Sequence, residues 1–528
     1  MQQTTLAKIT LSTISHMSAQ FEKTKTPTDA YGSNLSGQGK TMCIDFSSPN
    51  IAKPFHAGHL RSTIIGAFLA NLYESSGWKV HRWNYLGDWG KQFGLLAVGW
   101  RRFGDQKALE EDAVKHLYDV YVAINRVATP TIPEGTPEEE ANKITAEGER
   151  VHDEARQFFK GMEDGDKECL DLWKLFRDLS IKKFQGTYAR LNIHFDEYNG
   201  ESQVSKSQME DAVKKLKEVP GLISEDKGAL IADLSKYKLE KAIVMRKDGT
   251  PLYLTRDIAS IIERMTVRNE GKGFDRLVYV VASQQDLHLA QLFKLAELLG
   301  YEWAKPSEGR LMHINFGMVQ GMSTRKGTVV FLEDILEQTR DNMHDVMRSN
   351  DVKYAQVHDP EATAHQVGMT AVKIQDMSGK RGNNYVFDWA RMLSFEGDTG
   401  PYLQYNFARM CSVERKNKEA GLELPEDVDA DKIRCDLLTE SKARELVVLL
   451  ASWPDVVRSA FKDHQPSTIV TYCFRLTHTI ASAWEVLIVK GAERDLALAR
   501  LWLFRCAREV LGSALILLTN EREWHRLE

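Results

Sequence analysis

The chain has 528 residues and a formal net charge of −5 at pH 7, with 69 Lys and Arg against 74 Asp and Glu. This length predicts about three domains. The charge balance excludes a uniformly basic coat for nucleic acid, although it does not exclude a local basic patch. No segment approaches the roughly 18 apolar residues of a membrane span, so we expect no membrane association.

Six cysteines lie far apart in the sequence, and none forms a CxxC pair or a Cys/His cluster. That spacing argues against a zinc ribbon or finger and predicts buried thiols in a reducing compartment. The N-terminus lacks the long apolar segment of a secretory signal, and its one Lys and absence of Arg match a mitochondrial presequence poorly. We therefore expect a cytoplasmic location.

The segment up to about residue 40 predicts an amphipathic helix from the spacing of Leu6, Ile9, Ile14, Met17 and Phe21. Short apolar runs at residues 42–46 and 79–86 predict two buried strands. Between them, a turn at residues 47–50 precedes residues 60–72, where apolar side chains recur at helical spacing. Strand, loop, helix and strand in this order indicate the opening of a parallel α/β sheet.

Residues 92–200 predict charged helices with a break at 130–140, where Pro, Gly and Glu indicate a mobile linker. Residues 275–283 form the clearest buried strand in the chain, and residues 327–334 are another candidate strand. From about residue 390 onward helical patterns dominate, for example at 443–451 and 468–489. They predict an all-helical C-terminal domain.

Two short motifs carry candidate chemistry. His56 and His59 stand at the predicted start of a helix that follows a strand, where free N–H groups and the helix dipole favour anions. Their imidazoles would add donors aimed at a phosphate, and Gly58 would let a nucleotide approach the backbone. Far downstream, the cationic loop around Lys326 suits a clamp on a triphosphate. Alone, each motif has a structural alternative: the histidines could be packing residues, and the loop could be a solvated basic turn. The joint occurrence of the two motifs is more specific for phosphate chemistry.

Six longer blocks together resemble eukaryotic cytosolic arginyl-tRNA synthetase, a class I aminoacyl-tRNA synthetase, from about residue 45 to about residue 505. The blocks read SSPNIAKPFHAGHLRSTIIGAFLANLYESSGWKVHRWNYLGDWGKQFG, YNGESQVS, LYLTRDIAS, ASQQDLH, FGMVQGMSTRKGTVVFLEDIL and LSFEGDTGPYLQY. The resemblance implies an α/β fold: a class I synthetase Rossmann-like parallel sheet with helical insertions, followed by an all-helical, anticodon-binding-type bundle.

The same resemblance implies a domain division. Residues 1–41 would be the remnant of an N-terminal tRNA-binding domain, and residues 42–345 a catalytic domain with insertions at about 92–172 and 201–251. Residues 346–528 would form the helical anticodon-binding-type domain.

The resemblance implies that the chain is a monomer that binds L-arginine, ATP and tRNA(Arg). Mg²⁺ would accompany ATP, and the protein itself would hold no metal. The implied catalytic residues are Lys53, His56, His59 and Lys326. The implied ATP contacts are His56, Gly58, His59, Met322, Ser323 and Lys326. The implied arginine contacts are Ser48, Pro49, Asn50, His59, Glu201, Tyr253, Asp257 and Gln285. The implied tRNA contacts are Phe395, Gly397, Tyr402, Gln404, Tyr405 and Arg409.

Residue chemistry independently favours the arginine assignment. A guanidinium is planar and always charged, and a carboxylate matches its fork. Tyr253 and Asp257 are four residues apart, so on a helix they share one face. Gln285 follows the clearest strand at its carboxyl end, where open α/β sheets bind ligands. The alternative for Asp257 is a surface salt bridge with Arg256 or Arg264.

Departures from the family pattern gather on the tRNA side. They are the short segment ahead of the sheet, the pair Asn406-Phe407 where Ala-His is usual, and the C-terminal residues. Two interpretations stay open: a working synthetase with a shortened front end, or a repurposed copy resembling fungal arginine-containing cyclodipeptide synthases of secondary metabolism. Those enzymes join the arginyl group of arginyl-tRNA to a second aminoacyl group, and the product cyclises. A third interpretation is a non-catalytic binder of arginine or tRNA.

Overall fold

The computed structural model describes residues 2–519, with gaps at 52–54, 56, 248, 250–251, 321–331, 356, 426–427 and 429–430. The central sheet has five parallel strands in the order β3-β2-β1-β7-β8. Its strands are β1 (Thr41–Asp45), β2 (Lys79–Leu86), β3 (Glu197–Gly200), β7 (Arg276–Ala282) and β8 (Leu311–Phe316). Met42, Cys43 and Ile44 of β1 are fully buried, as expected for a central parallel strand covered on both faces.

The strand order reverses at β1. The chain runs from β1 to β2 on one side and returns to β7 on the other. Such a reversal leaves a crevice at the carboxyl ends of the strands, where ligands bind in open α/β sheets. The predicted parallel α/β sheet is confirmed, and so are the strands predicted at 42–46, 79–86 and 275–283.

Helices connect and cover this sheet. The first part of the chain contributes α1 (Gln2–Thr24), α2 (Ala57–Glu74), α3 (Lys91–Phe103), α4 (Gln106–Glu111), α5 (Ala113–Ala128), α6 (Glu138–Asp164), α7 (Lys167–Arg190), α8 (Lys206–Glu218), α9 (Tyr253–Thr266) and α10 (Asp286–Leu298). Helices α3 to α7 lie between β2 and β3 in sequence, as predicted for residues 92–200. Between β3 and α9 a small antiparallel sheet, β4 (Ile223–Asp226), β5 (Ala229–Asp233) and β6 (Lys241–Met245), packs with α8.

The C-terminal part is helical, as predicted. Its helices are α11 (Leu332–Arg348), α12 (Asp351–Tyr354), α13 (Pro360–Ser378), α14 (Trp389–Met392), α15 (Gly400–Glu419), α16 (Ser441–Ala451), α17 (Trp453–Asp463), α18 (Pro466–Val486) and α19 (Arg494–Thr519). Helix α1 joins this bundle, since the Trp502 indole donates to the Ser15 hydroxyl at 2.7 Å.

Two sequence predictions were wrong in detail. The helix at α1 is present, but Leu6 and Ile9 are 41% and 62% exposed, whereas Leu11 and Ile14 are fully buried. The candidate strand at 327–334 falls partly outside the described residues, and its last three residues begin α11. Leu332 and Ile335 are both buried and lie one helical turn apart. A short apolar run does not distinguish this helical spacing from a buried strand.

A second, two-stranded parallel pair joins the two parts of the chain. Strand β9 (Val319–Gln320) pairs with β10 (Tyr385–Val386). Next to it, the buried Arg61 of α2 donates to the carbonyl oxygens of Gly317 at 2.7 Å and Asn383 at 2.8 Å. Its guanidinium also lies 3.4 Å from the Asp376 carboxylate on α13.

All six cysteines are free; Cys169 is partly buried and the other five are buried, as predicted. Among the helices of the described ranges, none combines the length and apolarity that crossing a bilayer requires.

Candidate functional site

The loop after β1 has an unusual backbone. Ser47 and Ser48 both adopt positive φ, at 70° and 48°, a region that non-glycine residues seldom occupy outside functional sites. The Ser47 backbone N–H donates to the Ser62 hydroxyl at 2.9 Å, and the Ser47 hydroxyl lies 2.6 Å from the Tyr188 hydroxyl. These contacts hold the loop at the carboxyl edge of the sheet.

Ser48 is tied to a buried ion pair. Its hydroxyl donates to Asp45 Oδ1 at 2.9 Å, and Asp45 Oδ2 accepts from the Arg264 guanidinium at 2.6 Å. Burial raises the pKa of Asp45, while the Arg264 charge opposes that rise. Arg264, on α9, lies over the rings of Trp83, Tyr85 and Tyr279 at 4.6, 5.1 and 5.6 Å. This cage fixes α9 against the sheet.

Asn50 is held against the end of β2. It forms an isolated parallel bridge with Gly87, whose N–H donates to the carbonyl of Pro49 at 3.2 Å. A Cβ on Gly87 would lie 2.1 Å from the Asn50 amide oxygen, so this approach requires glycine. The predicted arginine contacts Ser48, Pro49 and Asn50 therefore share one loop at the crevice.

Helix α2 follows in sequence and begins at Ala57, with Gly58 and His59 half-buried in its first turn. The centre of the His59 ring lies 5.2 Å from that of the Phe55 ring. The backbone carbonyl of His59 accepts a hydrogen bond from the Thr63 hydroxyl at 2.6 Å. The first-turn N–H groups of α2 offer donors for an anion. Lys53, His56, Met322, Ser323 and Lys326, which the sequence assigned to ATP chemistry, lie outside the described residues.

Glu201 follows β3 and is mostly buried. The Arg256 guanidinium lies 3.3 Å from its carboxylate. Burial raises the pKa of Glu201 to about 7, and the negative charges of Asp257 and Asp88 add to that rise against the opposing Arg256. Asp88, fully buried, accepts from the Ser202 backbone at 2.9 Å and from Arg177 at 2.8 Å, which fixes the turn carrying Glu201.

Asp257 lies among these groups on the second turn of α9. Its negative charge raises the pKa values of Asp45, Glu201 and Tyr85. Its own partner is His288, with Nε2 2.7 Å from Oδ2. Arg256 and Arg264 instead pair with Glu201 and Asp45, so the salt bridges considered from sequence are not formed.

Tyr253 and Gln285 lie close in sequence to the paired Asp257 and His288. Tyr253 begins α9 one turn before Asp257 and is 61% exposed. Gln285 ends the turn after β7, three residues before His288, and is exposed. The phenol and the amide predicted to contact arginine are thus both open to solvent.

Sequence reasoning missed four groups that organise the pocket: Asp45, Asp88, Arg264 and His288. Asp45 lies near the end of a predicted strand, and His288 ends one of the quoted blocks, so each carried a weak positional signal. Arg264 gave none, because its carboxylate partner, Asp45, lies 219 residues away in sequence.

The predicted tRNA segment is only partly exposed. Phe395 and Tyr405 line an open groove of about 950 Å³ together with Trp389 of α14. Arg409 is exposed and lies 4.9 Å from the Trp484 ring, and Gly397 takes a positive φ of 78° in an exposed turn.

Two other residues of that segment contact neighbouring helices. The half-buried Tyr402 packs against the ring of the exposed His478 on α18. Gln404 is 2% exposed and donates to the Thr370 hydroxyl at 3.1 Å, because its face of α15 packs on α13. Its position argues against direct contact with a nucleic acid.

The carboxylates near α9 differ in their partners. Arginines accompany Asp45 and Glu201, whereas Asp257 has a histidine partner. A carboxylate matches the charge and planarity of a guanidinium, and the first turn of a helix such as α2 favours an anion.

Comparisons with known proteins agree on one family. The model "tRNA synthetases class I (R), catalytic domain" matches residues 27–389, and "DALR anticodon binding domain" matches residues 403–521. The chain is 54% identical to the probable arginine--tRNA ligase, cytoplasmic, of Schizosaccharomyces pombe, covering 92% of this chain and 78% of the relative. It is 55% identical to the arginine--tRNA ligase, cytoplasmic, of Saccharomyces cerevisiae, covering 92% and 77%.

A solved structure shares the fold. Thermus thermophilus arginyl-tRNA synthetase superposes with a TM-score of 0.74 at 20% identity, covering 92% of this chain and 83% of that one.

Proposed function

Because the chain belongs to the class I arginyl-tRNA synthetase family, we propose that it activates L-arginine with ATP and transfers the arginyl group to tRNA(Arg). The observation that carries the substrate assignment is Asp257, a carboxylate whose partner among the described residues is a histidine, whereas Asp45 and Glu201 pair with arginines. A guanidinium supplies the planar, permanent charge that such a carboxylate accepts.

In this proposal the arginine side chain lies along the face of α9. Asp257 binds the guanidinium, and Tyr253 and Gln285 add hydrogen bonds at its edges. Glu201 and the loop of Ser48 and Asn50 receive the α-ammonium and carboxylate end. Lysine would fit less well, because an ammonium cannot bridge two acceptors in one plane.

The first step joins arginine to the nucleotide. The arginine carboxylate attacks the α-phosphate of ATP, which gives arginyl-adenylate and pyrophosphate. The first turn of α2, with His59, supports the phosphates through N–H donors and the helix dipole. The chain positions the reactants and stabilises charge, and the step needs no protein nucleophile.

The second step uses tRNA. A terminal ribose hydroxyl attacks the activated carbonyl and releases AMP. We assign the exposed side of the C-terminal helices, including the groove with Phe395 and Tyr405, to tRNA contact. Aromatic side chains in such grooves stack on unpaired bases.

Mg²⁺ belongs to this proposal as a companion of ATP. Within the described ranges, no three His, Cys, Asp or Glu side chains group closely enough to hold a metal. The ion would therefore arrive on the phosphates, where it neutralises their charge.

We further infer a cytoplasmic location, since the two yeast relatives at 54% and 55% identity are named cytoplasmic. Monomeric state and the domain division given above stay predictions. The cyclodipeptide synthase interpretation gains no support, because both relatives and the Thermus structure are arginine-specific synthetases by name.

Arginine-dependent exchange of pyrophosphate into ATP, measured with tRNA(Arg) present, tests the proposal. We expect exchange with arginine and none with lysine, followed by formation of arginyl-tRNA. Absence of exchange would leave the non-catalytic binder. A cyclic arginine dipeptide in the medium of an expressing host would instead favour the cyclodipeptide synthase.

A further inference from the structure

The arginine pocket contains three carboxylates, and they differ in their partners. Asp45 and Glu201 each face an arginine of α9, at 2.6 and 3.3 Å. Among the described residues, Asp257, between those arginines in sequence, pairs with His288 of α10 at 2.7 Å. A guanidinium is always charged, whereas an imidazole can donate a hydrogen bond in its neutral form.

This difference sets Asp257 apart from the other two carboxylates. Among the described residues, Asp45 and Glu201 each have an arginine partner, whereas Asp257 has a histidine. Tyr253 lies one helical turn before Asp257, and Gln285 lies three residues before His288.

His288 is placed by the same elements that place Gln285. The turn after β7 ends at Gln285, and α10 begins at Asp286, so His288 lies in the first turn of that helix. Its side chain and that of Asp257 are 30% and 28% exposed. The contact therefore lies at the wall of the crevice, where a ligand can reach it.

We propose that His288 is a positioning residue for arginine: its hydrogen bond holds the Asp257 carboxylate toward the substrate guanidinium. One oxygen, Oδ2, accepts from the imidazole, and Oδ1 faces the ligand. This inference rests on the proposed function and extends it to a residue that contacts arginine only through Asp257.

Three variants of the full chain test this role: His288→Ala, His288→Gln and His288→Arg. We expect His288→Ala to raise the KM for arginine about tenfold, the effect of one lost hydrogen bond to a charged group, with an unchanged KM for ATP. His288→Gln keeps a neutral donor, so we expect its KM within about threefold of the wild type. His288→Arg places a permanent cation on Asp257, so we expect a loss of about a hundredfold or more.

His344→Ala is the matched control, because His344 also contacts a carboxylate, Glu361 at 3.2 Å, but lies on α11. We expect it to leave both KM values unchanged. Equal arginine KM values across the three His288 variants, or a KM for ATP that rises in step, would overturn the role of His288.

Calorimetric titration of arginine separates this inference from the proposed function. A wild type that binds arginine without exchange would contradict the synthetase activity, and the ranking of Kd across the variants would still support or overturn His288. A wild type that binds no arginine would overturn both.

Discussion

At the scale of single residues, the proposal assigns recognition of the substrate charge to Asp257. We predict that Asp257→Asn reduces arginine-dependent exchange at least a hundredfold with the fold intact, because the guanidinium loses its counter-charge in a partly buried site. Exchange kinetics together with circular dichroism check this. Asp341→Asn is the control, since that carboxylate is 64% exposed on α11. An unchanged affinity of Asp257→Asn for arginine would contradict the assignment.

Glu201 predicts a pH dependence. Its pKa of about 7 means that the carboxyl is largely protonated at pH 6 and ionised at pH 8. The arginine α-ammonium favours the ionised form, so we predict that the KM for arginine falls as pH rises through 7. In Glu201→Gln this fall should disappear. A wild-type KM that is constant from pH 6 to 8 would exclude Glu201 as the ammonium partner.

His59 should act on the phosphates rather than on the fold. We predict that His59→Ala lowers the rate of activation about a hundredfold, the scale of one lost transition-state donor. Single-turnover formation of arginyl-adenylate measures this step directly. Equal rates would make His59 a packing residue beside Phe55.

At the scale of elements, Arg264 anchors α9. Burial alone would lower the pKa of its guanidinium, but the Asp45 carboxylate raises that pKa overall, so the guanidinium stays charged. We predict that Arg264→Met destabilises the protein by about 3–5 kcal/mol, because it leaves the Asp45 charge buried without a partner. Urea unfolding measures the change.

Arg268 provides the matched control on the same helix. It also lies over Trp83, at 5.0 Å, and pairs with Glu263 and Glu197, but its side chain is 33% exposed. We expect Arg268→Met to cost less than about 1 kcal/mol. Equal costs for the two substitutions would show that burial of the Asp45 pair does not control the stability of α9.

The sequence predicted helices and strands correctly where their apolar residues recur at a regular spacing. Prediction failed where the spacing of apolar residues is ambiguous or absent. Strand β2 and helices α2 and α16 lie where periodicity indicated them. Strand β3, with the sequence EYNG, gave no apolar signal, since it is short, polar and at the edge of the sheet.

For the site, local chemistry indicated Asp257 and Gln285, because each lies at a recognisable helix face or strand end. The partners of those residues could not be read in the same way. Asp257 meets His288 across 31 residues, and Asp45 meets Arg264 across 219. Pairings of that kind depend on how α9 packs, which no local pattern specifies.

At the scale of the whole molecule, the net charge of −5 requires tRNA to meet localised basic side chains. We predict that tRNA binding weakens about a thousandfold between 50 and 200 mM salt, as counterion release at several phosphates requires. Filter binding over this range measures the slope, with the KM for arginine as an internal control. A flat response would argue that the helices hold no nucleic acid.

The contact between β9 and β10 has a practical consequence for protein engineering. Arg61 reaches Gly317 beside β9, Asn383 beside β10 and Asp376 of α13, while the Tyr385 hydroxyl donates to Asp376 at 2.9 Å. A chimaera that takes its C-terminal helices from another synthetase must therefore be joined after Phe387. A splice point before Asp376 would bring in foreign side chains around a buried cation and remove the Asp376 carboxylate that lies beside it.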